Sequence, residues 1–268
     1  MGGTIRSLAR GLEVLQSLQE NPISSLHEIY QRTGISKPSL LRILHTLEQA
    51  GFVSRRLADA RYRISSNFSN LTRKRDRYDG VAEAAAPVLD RLCAKVSWPS
   101  DLMVPAGDHM EIRETSRVRT PFFMHFTHER IGTPVNWVLT AVGRVYLANC
   151  PEAEREKILA LLRKSEHPEN RLARDSRRLD RILAETRTQG YGVRDPAFVG
   201  GAYGHQLPDG LAAIAVPLVD RRRVHGVINI IWVRAARKIE DMARDHLADL
   251  QSAAAEIVVS LRNQTRGT

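Results

Sequence analysis

Two helices joined by a turn of only a few residues are written between Ser25 and Gly51 by their end signals, and few folds accommodate such punctuation. Ser25-Leu-His-Glu28 is a capping-box pattern, in which the serine hydroxyl accepts from the third backbone N–H while Glu28 reaches back to the cap amide. The helix that starts there is expected to carry Leu26, Ile29 and Tyr30 inward and to end at Gly34, which takes the positive φ of a sharp exit. Ser36 then caps a following helix in which Leu40, Leu44 and Leu47 face the core, with Leu41 and Ile43 flanking, and Gly51 closes it. Upstream, Leu8, Leu12, Leu15 and Leu18 recur at three- and four-residue spacing and predict a first helix that Asn21-Pro22 stops. Downstream, Phe52-Val-Ser-Arg-Arg56 and Arg61-Tyr-Arg-Ile64 flank a polar turn at Asp59, a short hairpin or wing. Three helices, a tight glycine turn and a hairpin follow one another in the order of a winged helix-turn-helix.

Charge tells what such a head would hold. The chain carries a net +10, and residues 1–78 hold 13 Lys/Arg against 6 Asp/Glu, so +7 of that excess falls in the first third. A basic block alone is compatible with a merely solubilising surface. The outer face of the third helix adds a second signal, because Lys37, Ser39, Arg42, His45 and Thr46 are hydrogen-bonding side chains on a rod that fits the major groove. Ser36 and the helix N-terminus can touch phosphate. Arg55, Arg56, Arg61 and Arg63 on the wing can reach phosphates or a narrow minor groove, and Arg10 on the first helix joins the basic set. Together these residues predict binding of double-stranded operator DNA.

The chain resembles the IclR family of bacterial regulators through Arg10-Gly-Leu-Glu-Val-Leu15, Gly34-Ile-Ser-Lys-Pro-Ser-Leu-Leu-Arg-Ile-Leu44 and Leu47-Glu-Gln-Ala-Gly-Phe-Val53. The likeness continues in Leu139-Thr-Ala-Val-Gly-Arg-Val-Tyr-Leu-Ala148, similar to the family's small-residue turn into a helix, and in Gly190-Tyr-Gly192 and Ala213-Ile-Ala-Val-Pro217. It implies a transcription regulator with a GAF-like effector domain, working as a homodimer or homotetramer on DNA with RNA polymerase as an optional further partner; the cytoplasm is expected from the lack of a secretory signal. Many relatives carry Cys or another small polar residue ahead of the Ala-Val-Pro strand, where this chain has Ala212-Ala-Ile.

The expected domains are a DNA-binding head over 1–66, a linker and connecting helix over 67–97, and an effector domain over 98–268. Arg73-Lys-Arg-Asp-Arg77 is a charged stretch, and a helical pattern resumes over Val81 to Val96, with a kink or fresh start expected at Pro87 because proline lacks the amide donor. Leu102 to Val104, Glu111 to Thr115 and Phe122 to Phe126 read as strands. Helices follow at about Ala153 to Lys164 and Ser176 to Gln189, then a hairpin of Leu211 to Val219 and Val224 to Val233 turning at Asp220-Arg-Arg-Arg223. A last helix packs Ile239, Met242, Leu247, Leu250, Ile257 and Leu261. The fold class is therefore α+β, with a mostly antiparallel sheet in an α/β effector domain.

An effector pocket between a sheet face and its covering loops would be apolar with a few fixed polar groups. Asn229 interrupts an apolar strand and is either a satisfied structural amide or a ligand anchor. The resemblance singles out Thr140 and Gly143, in a turn whose helix amides can hold a carboxylate. Arg113 and His125 either add positive charge or lie on a solvated strand face, and Met103, Trp137 and Ile231 are either pocket walls or ordinary core. Trp98-Pro-Ser-Asp101 resembles a segment of the family's activators of 3-(3-hydroxyphenyl)propionate breakdown, which implies a small organic, aromatic carboxylic acid as effector.

Other functions have less behind them. No run approaches the roughly 18 apolar residues of a membrane span, and the first ten residues lack the apolar core of a secretory signal. Cys93 and Cys150 stand alone, without metal-ligand spacing, and no cofactor or metal is expected. Nine histidines and many carboxylates form no Gly-x-Ser-x-Gly elbow, phosphate loop, His-Glu-x-x-His pair or dinucleotide fingerprint, so no catalytic residue is named and a small-molecule hydrolase is the weaker alternative. A non-specific architectural DNA binder needs only cations and deformable DNA, and the nearly neutral remainder of the chain argues against it.

Overall fold

The computed structural model describes residues 4–56, 59–65, 78–117, 131–200 and 209–266, with side chains to 264. The expected strand over Phe122 to Phe126, His125 and the charged stretch over 73–77 lie outside the described residues. The chain divides into two compact units, Met1–Asp76 and Arg77–Thr268.

In the first unit, α1 (Arg6–Glu20), α2 (Leu26–Thr33) and α3 (Lys37–Gln49) precede an antiparallel ribbon of β1 (Val53–Arg55) and β2 (Tyr62–Ile64). The capping box forms as expected: the Glu28 amide donates to Ser25 Oγ at 3.3 Å and the Ser25 amide to Glu28 Oε2 at 2.6 Å. That reciprocal bond and the Arg61 guanidinium hold the Glu28 carboxyl below its ordinary value. Gly34 ends α2 at φ +64°. After α3, the Phe52 amide reaches Leu47 O and the Gly51 amide reaches Glu48 O, a Schellman exit that Gly51 permits at φ +76°.

The expected leucine stripe of α1 needs correcting. Leu8 and Leu12 are exposed, and the buried positions are Val14, Ser17 and Leu18. A polar tie explains the rotation: Arg32 donates from Nε to Ser17 Oγ at 2.8 Å and from Nη2 to Ser24 Oγ at 2.7 Å. Val14, Leu18, Ile29, Ile35, Leu40 and Leu44 then close a core that Val53 and Tyr62 of the ribbon complete. Each such fully buried aliphatic contributes roughly 1.5–3 kcal/mol, so the ribbon and α3 are held by the same burial.

The second unit is a six-stranded antiparallel sheet between two helical layers. Its strands are β3 (Asp101–Ala106), β4 (His109–Thr115), β5 (Pro134–Val135), β6 (Gly192–Val193), β7 (Leu211–Asp220) and β8 (Arg223–Val233), in the order β5-β4-β3-β8-β7-β6. Strand alternation assigns the faces. Ile228, Ile230 and Trp232 of β8, with Ile214 and Val216 of β7, pack under α4 (Asp79–Val96) and α8 (Ile239–Arg266). Val227 and Ile231, with Ala213 and Ala215, pack under α5 (Ala141–Asn149), α6 (Glu152–Lys164) and α7 (Ser176–Gln189). The period of two puts Asn229 on this second face.

Helix α4 runs through Pro87 as one element rather than starting afresh there, and Pro87 lies on its exposed side, away from Val88 and Leu89 in the core. The helix expected as a connector is thus a covering layer of the second unit. Cys93 and Cys150 are both buried thiols. No helix among the described residues is long and apolar enough to cross a membrane.

Candidate functional site

On the first unit, α3 presents Ser36, Lys37, Arg42, His45 and Thr46 to solvent, with Ser39 half-buried. Ser36 holds the N-cap position, but its hydroxyl meets Ser39 Oγ at 3.0 Å instead of a helix amide, and Lys37 and Pro38 open the helix. Thr46 donates to Arg42 O at 2.9 Å. Arg10 of α1 shares a groove with Ser39, Arg42 and Thr46, which gathers four of the expected residues along one line. Tyr30, expected inside, is exposed beside the Lys37 ammonium, 5.7 Å from its ring centroid. The eight-residue α2 buries only a narrow stripe around Ile29, which leaves Tyr30 outside.

The four wing arginines do not form a single patch. Ser54 and Arg63 are paired on one side of the ribbon, and Arg55 and Tyr62 on the other. Arg55 leans over the Tyr62 ring at 5.8 Å, Arg56 pairs with Asp59 at 3.5 Å, and Arg61 pairs with Glu28 at 3.6 Å. These exposed pairs are weak enough to yield to a phosphate.

On the second unit a small cleft, with a cavity volume of about 40 Å³, opens between the sheet and the start of α5. Of the residues singled out from the sequence, Met103, Thr140, Asn229 and Ile231 line it. Three others stand elsewhere. Arg113 points to the α4 side of β4, where it pairs with Glu111 at 3.0 Å and Asp79 at 3.4 Å, because residues 110 and 112 take the pocket-side face. Trp137 is fully buried, donates to Gly107 O at 3.2 Å and meets Tyr146 edge-on at 5.5 Å. Gly143 is a packing glycine, since a Cβ there would lie 2.0 Å from Trp137 O.

The start of α5 explains the pocket's polarity. Thr140 caps the helix by accepting from the Gly143 amide at 3.1 Å and donates to Asn136 O at 2.6 Å. Asn136 Oδ1 in turn accepts the Val138 and Leu139 amides, both at 2.8 Å. The first two helical residues, Ala141 and Val142, line the cleft, and at these positions of a helix the amides have no intrahelical acceptor. Helix N-terminal amides of this kind attract anions.

Arg144, one turn in, is structural. It donates to Val138 O at 2.8 Å, to Val193 O at 3.1 Å and to the Asp195 carboxylate, with 7% exposure. Burial pushes the Asp195 carboxyl up, but the Ala197 amide at 2.9 Å and Arg144 outweigh it and hold the group below its ordinary value.

Sequence reading missed Arg117, Arg194 and Phe198 of the wall. Arg117 grips buried Asp101 from Nε at 2.9 Å and Nη2 at 2.7 Å, and Asp101 also accepts Thr115 Oγ1 at 2.8 Å. Asn229 belongs to this cluster: its Oδ1 accepts the Asp101 amide at 2.8 Å, and Nδ2 stands 3.5 Å from Asp101 Oδ2. Arg194 is 7% exposed, stacks on the Phe198 ring at 4.6 Å and pairs with Asp209 at 2.6 Å. Its Nε is buried without a hydrogen-bond partner. An unmet buried donor of this type costs about 1–3 kcal/mol. Among the described residues no group of three His, Cys, Asp or Glu is placed to hold a metal.

Comparisons with known proteins agree with this geometry. Residues 7–57 match the IclR helix-turn-helix domain, and residues 77–259 match the family described as bacterial transcriptional regulator IclR C-terminal. The probable transcriptional regulator SauR of Cupriavidus necator is 29% identical over 249 residues, covering 93% of each chain. The crystal structure of an IclR family transcriptional regulator from Brucella abortus superposes with a TM-score of 0.54 at 23% identity, over 96% of this chain and 93% of that one. An IclR homologue from Microbacterium hydrocarbonoxydans, solved with 4-hydroxybenzoate, shares the fold at a TM-score of 0.51 and 18% identity, over 96% and 99% of the two chains.

Proposed function

Because the chain belongs to the IclR family, DNA-binding transcriptional regulators with a C-terminal effector-binding domain and not enzymes, we propose that α3 reads a palindromic operator and that the pocket beside α5 takes a small organic acid. The observation that carries the second half is the lining of the cleft, which joins Ala141 and Val142 of the α5 N-terminus to two arginines, Arg117 and Arg194, within a largely apolar wall. A carboxylate satisfies such donors in charge-assisted bonds. The rest of the molecule would bury against Met103, Val135, Phe198, Leu211 and Ile231.

An aromatic acid such as the 4-hydroxybenzoate held by the Microbacterium homologue would enter with the cleft widened from about 40 Å³. Thr140 sets the cap that frees the two amides, and Asn229 braces the Asp101–Arg117 cluster rather than serving as the main anchor. On the DNA, Lys37, Ser39, Arg42, His45 and Thr46 meet base edges, with Ser36, Arg10 and the wing arginines on phosphates. A homodimer or dimer of dimers matches two such helices to a two-fold operator in the cytoplasm, within reach of RNA polymerase, and the effector shifts the balance between head arrangements.

Isothermal titration of benzoate into the full-length protein tests the pocket. Binding by the natural chain and its loss in Arg194→Gln, with operator affinity unchanged in the acid's absence, is the expected result. Equal binding by both proteins removes Arg194 and this pocket from the account.

A further inference from the structure

The reading face of α3 carries one side chain that can neither donate nor accept a hydrogen bond. Leu41, expected with Ile43 at the flank of the core, is 48% exposed, and only Ile43 takes that place against Leu40, Leu44 and their neighbours. We propose that Leu41 reads the C5-methyl group of a thymine, so that each half-site of the operator carries a thymine where this leucine meets it. The inference rests on the reading above, in which α3 lies in the major groove.

Surroundings separate Leu41 from an ordinary exposed leucine. Lys37 and His45, four residues to either side, are exposed on the same face, and Pro38 and Arg42 beside it are exposed too. The Lys37 ammonium is drawn to the Tyr30 ring of α2, 5.7 Å from its centroid. Leu41 is thus an apolar island between the cations Lys37 and Arg42, on a surface that attracts a polyanion. A lone leucine elsewhere on a protein surface stays in water at little consequence; here a bound duplex covers it.

Place along the helix matters as well. Leu41 falls in the second turn of α3, and the N-terminal half of a recognition helix is the part that meets base edges. The groups that base pairs show in the major groove are hydrogen-bond donors and acceptors, apart from the thymine methyl. Set against any of the others, a leucine strips water from a polar edge without replacing the hydrogen bond. Set against the methyl, it buries apolar surface on both sides. One methyl taken out of water is worth roughly fourfold in affinity, and the two half-sites of a two-fold operator together make that about fifteenfold.

Deoxyuridine tests the contact, because it pairs as thymidine does and lacks only the methyl. The natural full-length protein first selects its duplex from a random pool. Each thymine of that duplex is then replaced by deoxyuridine, one symmetry-related pair at a time, and affinity is followed by fluorescence anisotropy. One pair of replacements should weaken the natural protein about fifteenfold and change Leu41→Ala by less than about twofold. Alanine favours the helix and the site is exposed, so the variant should fold as the natural chain does. If no replacement weakens the natural protein, or if every weakening persists in a normally melting Leu41→Ala, Leu41 reads no methyl. Loss of the oligomeric state in Leu41→Ala without DNA would place the leucine against a second copy and overturn the proposal. A natural protein that selects no sequence overturns α3 as a reader, and this inference with it.

Discussion

Replacing Arg144 by alanine should cost the second unit about 3–5 kcal/mol at neutral pH, because the side chain is the common donor for three acceptors that cannot find another. It is 7% exposed and holds Val138 O, Val193 O and Asp195, so its loss strands two carbonyls and a carboxylate whose side chain is only 16% exposed. The sum of single terms would be larger, but the partners share one site and their energies do not add. At roughly 2–4 °C per kcal/mol for a unit of this size, the melting midpoint should fall by about 10 °C. Arg144→Met, which keeps much of the stem volume, should show most of the same loss and so separate charge from packing.

The pH dependence carries a sign. In the natural protein the Asp195 carboxyl is held below its ordinary value, so its stabilisation is present above the unfolded pKa and is lost as pH falls through the folded one. Without Arg144 the burial that opposes ionisation dominates, and the variant gains relative stability as the carboxyl protonates. Urea unfolding followed at about pH 7 and about pH 5 should therefore show a deficit that shrinks toward acid. A deficit under about 1 kcal/mol, or one indifferent to pH, would refute the assignment of Arg144 as the tie between α5 and β6.

Gly143→Ala should weaken benzoate binding at least tenfold while leaving operator binding in its absence intact: a Cβ 2.0 Å from Trp137 O forces α5 off its seat by more than an ångström and carries the Ala141 and Val142 amides with it. Calorimetry and band-shift assays on the same preparation check it. Arg42→Ala should cost about 1–3 kcal/mol of operator affinity with relaxed sequence preference, whereas Arg63→Ala should weaken all duplexes alike and lower the salt slope by about one. Anisotropy titrations over a range of salt distinguish the two.

Where local chemistry decides the outcome, the amino-acid pattern was readable. The capping box at Ser25, the left-handed exits at Gly34 and Gly51, and the β7–β8 hairpin all depend on neighbours within a few residues. The leucine stripe of α1 misled because spacing gives a face but not its direction; the Arg32 tie to Ser17 and Ser24 comes from another helix. Pro87 kept α4 in one piece because it falls on the exposed side, a property of tertiary packing.

The pocket was half legible. Asn229 was marked by its place in an apolar strand and Thr140 by the family resemblance, whereas Gly143 and Arg144 in the same turn serve packing. Arg194 escaped notice because β6 has only two residues, too few for a periodic signal, and its partner Asp209 lies beyond a long connection. Pairs of buried Arg and Asp distant in sequence are invisible to any local pattern.

Footprinting of the full-length protein on the promoters that border its own coding region tests the central claim most directly. A protected site with two-fold symmetry, lost in Arg42→Ala and altered in occupancy by a small organic acid that binds the natural protein, is the predicted result. Protection that is absent, or that spreads evenly over any duplex, would contradict α3 as a reader of sequence.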